Sequence, residues 1–267
     1  MEMKKIRTYA EILNYNKAAW NRQVENGNEW TIPVTEDAIK KARLGDFQIL
    51  LTPSIPVPKT WLPILNGSQV LCLASGGGQQ GPLLAAAGAM VTVLDNSPRQ
   101  LAMDRLVADR ESLNLQTVEG DMSDLSKFAD ETFDFVVNPI SNCFIPAVRP
   151  VWKEVFRVLK PGGTLIAGFC NPVEFLFDQD LYEKGVFSLK YHMPYDDLTS
   201  MSEEERLRLF GEDAPIEFGH SLDDQIGGQI IAGFHLIGFY EDRWPDRKIR
   251  EYMPSFMATR ALKPKKY

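Results

Sequence analysis

Between Ser68 and Gly78 the chain runs through a short apolar stretch, Val70-Leu71-Cys72-Leu73-Ala74, straight into Ser75-Gly76-Gly77-Gly78. An apolar run of this length that stops at glycines is the pattern of a buried strand feeding a tight turn. Glycine supplies the unusual dihedrals of such a turn and lets the backbone approach a ligand closely. N–H groups at the start of the next helix can then bind a carboxylate or phosphate. Alone, the cluster reads equally as a plain strand–helix turn.

The following sequence repeats the alternation. Residues 79–88 are a Leu- and Ala-rich helix, 90–94 a second apolar strand ending at Asp95, and Ser97-Pro98 an N-cap with proline at the first helical position. That helix runs to about Leu113. Strands follow at 115–118 and 133–137, the latter ending at Asn138-Pro139. A helix carrying Val148, Val151, Trp152, Val155 and Leu159 on one face stops at Pro161-Gly162-Gly163, before a fifth strand at 164–169. This order predicts an α/β fold: a doubly wound, mostly parallel sheet with its ligand crevice at the carboxyl ends of the strands.

Upstream, helices are expected at 8–26, capped by Thr8, and at 35–43, with a proline-rich connector at 51–63. Residues 171–220 break the rhythm and read as an insertion. A helix near 222–232 and strands at 235–241 and 255–262 close the chain, their spacing suiting an antiparallel pair. The expected units are therefore 1–63, an N-terminal helical cap and connector; 64–170, the nucleotide-binding core; 171–220, a cap over the substrate; and 221–267, completing the sheet.

Spacing gives the glycine turn a context. Asp95 ends the second strand seventeen residues beyond Gly78, where doubly wound folds place an acid to accept from ribose hydroxyls. Gly120-Asp121-Met122 follows the third strand; its carboxylate can accept from an adenine amine while the Met side chain packs on the ring.

With these elements in place, LCLASGGGQQG, VLDNSPRQL, VEGDMSDL, FDFVVNP and VFRVLKPGGTLIAGF together resemble class I S-adenosylmethionine (SAM)-dependent methyltransferases of the small-molecule type, over residues 68–170. The resemblance implies a Rossmann-like core in which Ala74, Ser75, Gly76, Gly77 and Gly78 cradle the methionine part of SAM. Asp95 would bind ribose with Asn96 and Ser97 beside it, Asp121 and Met122 would frame adenine, and Asn138, Pro139 and Ile140 would close the pocket beside the sulfonium. Two positions depart from the family pattern, which usually has an acid at Cys72 and glycine at Ala74; Cys72 removes one expected anchor of the cofactor amine. A non-catalytic SAM-binding protein is therefore the second reading. The third is an NAD-dependent oxidoreductase, because residues 76–81 match GxGxxG formally.

Methyl transfer from a sulfonium needs alignment more than acid–base groups, so the absence of a triad is no obstacle. Candidate bases are the histidines 192, 220 and 235. His192 and Tyr195, in the insertion, are the candidate catalytic pair, while His235 is expected to be structural. Trp20, Trp30 and Tyr191 join them as candidate pocket residues, and Asn142 and Cys143 as residues facing substrate. Asn138-Pro139-Ile140-Ser141 lacks the second proline and the aromatic of amine-methylating nucleic-acid enzymes.

Charge argues the same way. With a net charge of −7, the chain has no electrostatic reason to track phosphate backbones, so a small molecule rather than nucleic acid is the expected acceptor. Lys263, Lys265 and Lys266 are read as a solvated end. Cys72, Cys143 and Cys170 form no CxxC pair; they are read as buried, reduced thiols, and no metal site is expected. The N-terminal stretch has no apolar h-region and no run of eighteen apolar residues exists, so neither a secretory signal nor a membrane span is expected and the cytoplasm is the expected location.

Overall fold

The computed structural model describes residues 8–265; Lys266 and residues 1–7 of the N-terminal reading lie outside them. Five parallel strands form the expected core: β1 (Gln69–Leu73), β2 (Met90–Asp95), β3 (Leu115–Glu119), β4 (Phe133–Asn138) and β5 (Leu159–Cys170). Two short strands, β6 (Tyr195–Asp196) and β7 (Phe218–Gly219), pair with each other in the insertion. The chain then returns to the main sheet with β8 (His235–Asp242) and β9 (Phe256–Leu262). The seven-stranded order is β3-β2-β1-β4-β5-β9-β8, with β9 antiparallel to both neighbours. Order reverses between β1 and β4, which opens a crevice at the carboxyl ends of the strands.

Helices α1 (Tyr9–Glu25), α2 (Glu36–Arg43), α3 (Gln80–Ala86), α4 (Pro98–Glu111) and α5 (Arg149–Val158) follow their sequence signals. Thr8 and Glu11 form the capping box of α1, and Ser97 accepts from Gln100 N to cap α4 behind Pro98. Central strands are fully buried because helices cover both faces of the sheet. Leu71, Leu73 and Val136 pack with Trp152 and Val155 of α5 on one side; Val70, Val93 and Phe135 pack with Leu84 and Leu101 on the other.

The insertion carries α6 (Gln179–Tyr182), α7 (Asp197–Ser200) and α8 (Glu203–Phe210), and a π turn at Asp223–Gly227 leads into α9 (Gly228–Ala232). Its end meets α1. Asn16 exchanges hydrogen bonds with both backbone groups of Ile216, Tyr15 and Arg22 donate to the Glu212 carbonyl, and Gln23 donates to that of Asp213. Among the described residues no helix is long and apolar enough to cross a membrane. Lys263 corrects the reading of a solvated tail: it is buried, donating to the carbonyls of Phe156 and Leu159 at the open end of α5.

Candidate active site

A cavity of about 460 Å³ lies over the carboxyl ends of β1, β2 and β4. One end is walled by Ala74, Ser75, Gly76, Asp95, Asn96, Asp121 and Met122, the other by Trp20, Cys143, Phe144, Cys170, Glu217 and Trp244, with Pro139 and Ile140 lining it as well.

The glycine turn is held from below and from above. Gly76 N–H donates to Oδ2 of Asp95 at 2.9 Å, and Ser97 N–H to its Oδ1 at 2.8 Å. Burial raises the Asp95 carboxyl above its usual range, opposed by these N–H groups. An ionised carboxylate has about four acceptor sites, so Asp95 keeps capacity for ligand hydroxyls. Asp121 is more committed: its Oδ2 accepts from Tyr9 Oη at 2.6 Å and from Ser123 Oγ at 2.8 Å, and its Oδ1 from Ser123 N–H at 2.9 Å. Of its four acceptor sites one is left, on Oδ1, which can take one further bond such as that of an adenine amine.

Not every residue expected to touch a cofactor lines the cavity. Gly77 and Gly78 turn away from the cavity: a Cβ on Gly77 would lie 2.8 Å from the Trp30 carbonyl oxygen, and one on Gly78 2.9 Å from that of Met103. Their glycine identity therefore answers to close backbone packing at φ 109° and 74°. Ser97 is spent on the α4 cap and on Asn21 Oδ1. Asn138 is fully buried, donating to the Leu73 carbonyl and to Ser141 Oγ across the β1–β4 junction. These four do not line the cavity.

The candidate catalytic pair is also displaced. His192 is exposed and outside the cavity. Tyr195 is buried, donates to Asp197 Oδ1 at 2.7 Å, packs in one cluster with Phe175, Tyr191 and Cys143, and does not line the cavity. An amphipathic ring in a cap was more useful as packing than as a pocket wall. His220 donates Nε2–H to the carbonyls of Asn142 and Ile145, both at 3.0 Å, and burial lowers its pKa. His235 is exposed at the start of the edge strand β8. Of the aromatics, Trp20 and Trp30 do line the cavity, Trp20 edge-on to Phe144 at 5.1 Å. Cys143 lines it while Asn142 is buried against Gln225, and Cys170 is only part-buried and faces the cavity.

Three contributors escaped the sequence reading. Asp104 of α4 is fully buried beneath the turn, and its Oδ2 accepts from Gly77 N–H at 3.0 Å. A carboxyl from α4 thus holds the loop that Cys72, buried with its thiol pushed far up, cannot hold. Burial pushes Asp104 up to about 8 despite the Gly77 and Gly78 N–H groups. The signal was present: with Leu101 and Ala108, Asp104 sits on the apolar stripe of its helix. Gln79 donates to the carbonyls of Glu29 and Ile32, and Gln80 accepts from Leu50 N–H, so this pair ties the N-terminal segment to the turn. Glu217 is the third, and nothing in its local sequence marks it.

Two features of this wall fit a polar ligand. Ser75 Oγ lies in it, buried and without a hydrogen-bond partner among the described residues, and a Cβ on Gly76 would collide with Gln100 and reach the Asp95 carboxylate.

Comparison with known proteins gives the family. The model of the family described as methyltransferase domain matches residues 71–167. The "uncharacterized methyltransferase YbaJ" of Bacillus subtilis is 50% identical over 252 residues, covering 94% of this chain and 98% of that protein. The chain belongs to the SAM-dependent methyltransferases. Its fold is that of a SAM-dependent methyltransferase from Mesorhizobium loti, with a TM-score of 0.58 at 17% identity over 76% of this chain and 94% of the other. It is likewise that of the Burkholderia thailandensis 1,6-didemethyltoxoflavin-N1-methyltransferase, solved with 1,6-didemethyltoxoflavin and S-adenosylhomocysteine bound. There the TM-score is 0.57 at 13% identity, over 98% of this chain and 93% of the other. The GxGxxG match at 76–81 is accordingly no sign of NAD, and the methyl donor of this family is SAM.

Proposed function

We propose that this methyltransferase alkylates a small, largely apolar molecule held between α1 and the end of the insertion. The observation that carries the reading is the roof: Leu13, Asn16, Trp20, Ala214 and Pro215 line the cavity opposite the strand ends, so it is a partly covered cleft rather than a flat face. The bound neighbour 1,6-didemethyltoxoflavin-N1-methyltransferase supports a small acceptor by analogy of fold.

In this reading Ala74, Ser75 and Gly76 receive the methionine part of SAM, Asp95 with Asn96 the ribose, and Asp121 with Met122 the adenine. Gly77, Gly78, Ser97 and Asn138 act behind the wall. When bound, SAM supplies a methyl group on a sulfonium that leaves readily. The chain's part is to hold the acceptor in line and keep water out. Asn96 Nδ2 donates to the Leu13 carbonyl at 2.8 Å, and Arg99 pairs with Glu25 at 2.6 Å, fastening α1 over the strand ends.

The test is incubation of the protein with methyl-labelled SAM and cell extract separated by size. Label should enter the low-mass fraction. Label confined to protein or nucleic acid would replace the small-molecule acceptor with a macromolecular one.

A further inference from the structure

Glu217 stands apart from the other carboxylates of the cavity. Asp95 and Asp121 sit at the ends of β2 and β3, and each is bonded to neighbouring N–H or O–H groups. Glu217 enters from the insertion, just ahead of β7, among Cys143, Cys170 and Trp244. Its backbone is clamped in both directions by Asp197: Glu217 N–H donates to Oδ2 at 2.8 Å, and its carbonyl accepts from Asp197 N–H at 3.1 Å. The preceding residue, Ile216, is fixed by Asn16. The side chain is thus presented rigidly, yet among the described residues its carboxylate has neither a hydrogen-bond nor an ion-pair partner.

A second unsatisfied polar group lies in the same wall. The indole N–H of Trp244 is buried without a hydrogen-bond partner among the described residues, and Arg247 stacks 4.3 Å over that ring. A part-buried acceptor and a buried donor left open in an otherwise aromatic and apolar compartment are costly unless a ligand completes them.

We infer that Glu217 accepts the proton of the methyl acceptor, and that this acceptor is a flat, apolar ring carrying one polarised O–H or ring N–H. The inference rests on the small-molecule reading above. The acceptor's lone pair forms the new bond to the methyl carbon, the old C–S pair stays on sulfur, and the released proton passes to a carboxylate oxygen of Glu217. Trp20, Phe144 and Phe256 provide the faces against which a ring packs.

The charge environment fits a base. Burial and the neighbouring Asp197 carboxylate push Glu217 up to about 8, against the pull of Arg247. Facing it are Asp197, which Tyr195 and Arg206 stabilise, and the Cys143 thiol, itself held un-ionised by Cys170 and by burial. A base in this range matches a phenolic or azole proton far better than an ordinary carboxylate would.

The experiment uses the whole protein loaded with S-adenosylhomocysteine and two probes of one shape, phenol and toluene. Wild type should bind phenol roughly ten- to a hundredfold more tightly than toluene at pH 9. Glu217→Gln should lose most of that preference while binding S-adenosylhomocysteine as wild type does. In parallel, the carbon signal of Glu217, assigned by its loss in that variant, should titrate near 8. Equal preference for phenol in both proteins, or titration in the ordinary carboxylate range, would overturn the assignment. Failure of wild type to bind S-adenosylhomocysteine would instead overturn the reading on which it rests. Glu217→Ala, should the Gln variant misfold, gives the same comparison.

Discussion

The two ends of the cavity are built on different plans. At the strand ends the carboxylates have partners, Asp95 in Gly76 and Ser97 and Asp121 in Tyr9 and Ser123, with Asp104 of α4 holding Gly77 beneath them, while Ser75 Oγ and one Asp104 oxygen stay open among the described residues. At the roofed end Glu217 and Trp244 are held in place with their polar atoms open. In the proposed reading the first end is the socket for the methyl donor. The second leaves its polar groups for whatever enters, which is what a family with one donor and many acceptors requires.

The largest effect is expected at the socket. Asp95→Ala removes both the proposed ribose contact and the anchor of Gly76, and should weaken S-adenosylhomocysteine binding by on the order of 2–4 kcal/mol, read by calorimetry on protein shown folded by far-UV circular dichroism. Unchanged affinity would mean that the socket lies elsewhere.

Next comes the pH dependence of stability, read at Glu217. Glu217 is raised by burial to about 8 in the fold, against about 4.5 in the unfolded chain. The fold therefore binds its proton more tightly, and stability is full below about pH 4.5 and falls as pH rises through 8. Glu217→Gln should remove this fall and be more stable than wild type at pH 9, by on the order of 2–4 kcal/mol. Asp104 is raised over the same window, so the comparison is between wild type and variant at each pH. Parallel melting curves for the two proteins would refute the buried, unpaired carboxyl.

Asp104→Ala should cost on the order of 1–3 kcal/mol of stability and weaken S-adenosylhomocysteine, because the Gly77 N–H is left buried without its partner. Tyr9→Phe should speed release of the ligand several-fold, about 1 kcal/mol, by freeing the start of α1 from Asp121; stopped-flow release rates read this directly. Smallest is Ala74→Gly. Ala74 has φ 46°, a left-handed conformation that costs a residue with a Cβ about 1 kcal/mol, so thermal melting should show a gain of roughly 0.5–1 kcal/mol.

The same contrast explains what was legible in the sequence. Strand ends, glycine turn and helix caps are local, and β1 to β5 follow from residues within a few positions of each other. The acid beneath the turn was half legible, since Asp104 on a buried helical stripe is an anomaly that spacing alone reveals. The roofed end joins Trp20, Cys143, Glu217, Trp244 and Phe256, which no period or motif connects. The insertion's aromatic run points to His192 and Tyr195, yet Tyr191 and Tyr195 pack behind the cavity with Cys143 and Phe175, and the cavity takes Ala214, Pro215 and Glu217 instead. Lys263, read as solvated, turned inward because the carbonyls ending α5 needed a donor.

The central claim is that one cavity takes the methyl donor at its hydrogen-bonded end. Isothermal titration of the purified protein tests it most directly: S-adenosylhomocysteine should bind once per chain, and NADH should give no heat above dilution. Binding of NADH with S-adenosylhomocysteine silent would contradict the account.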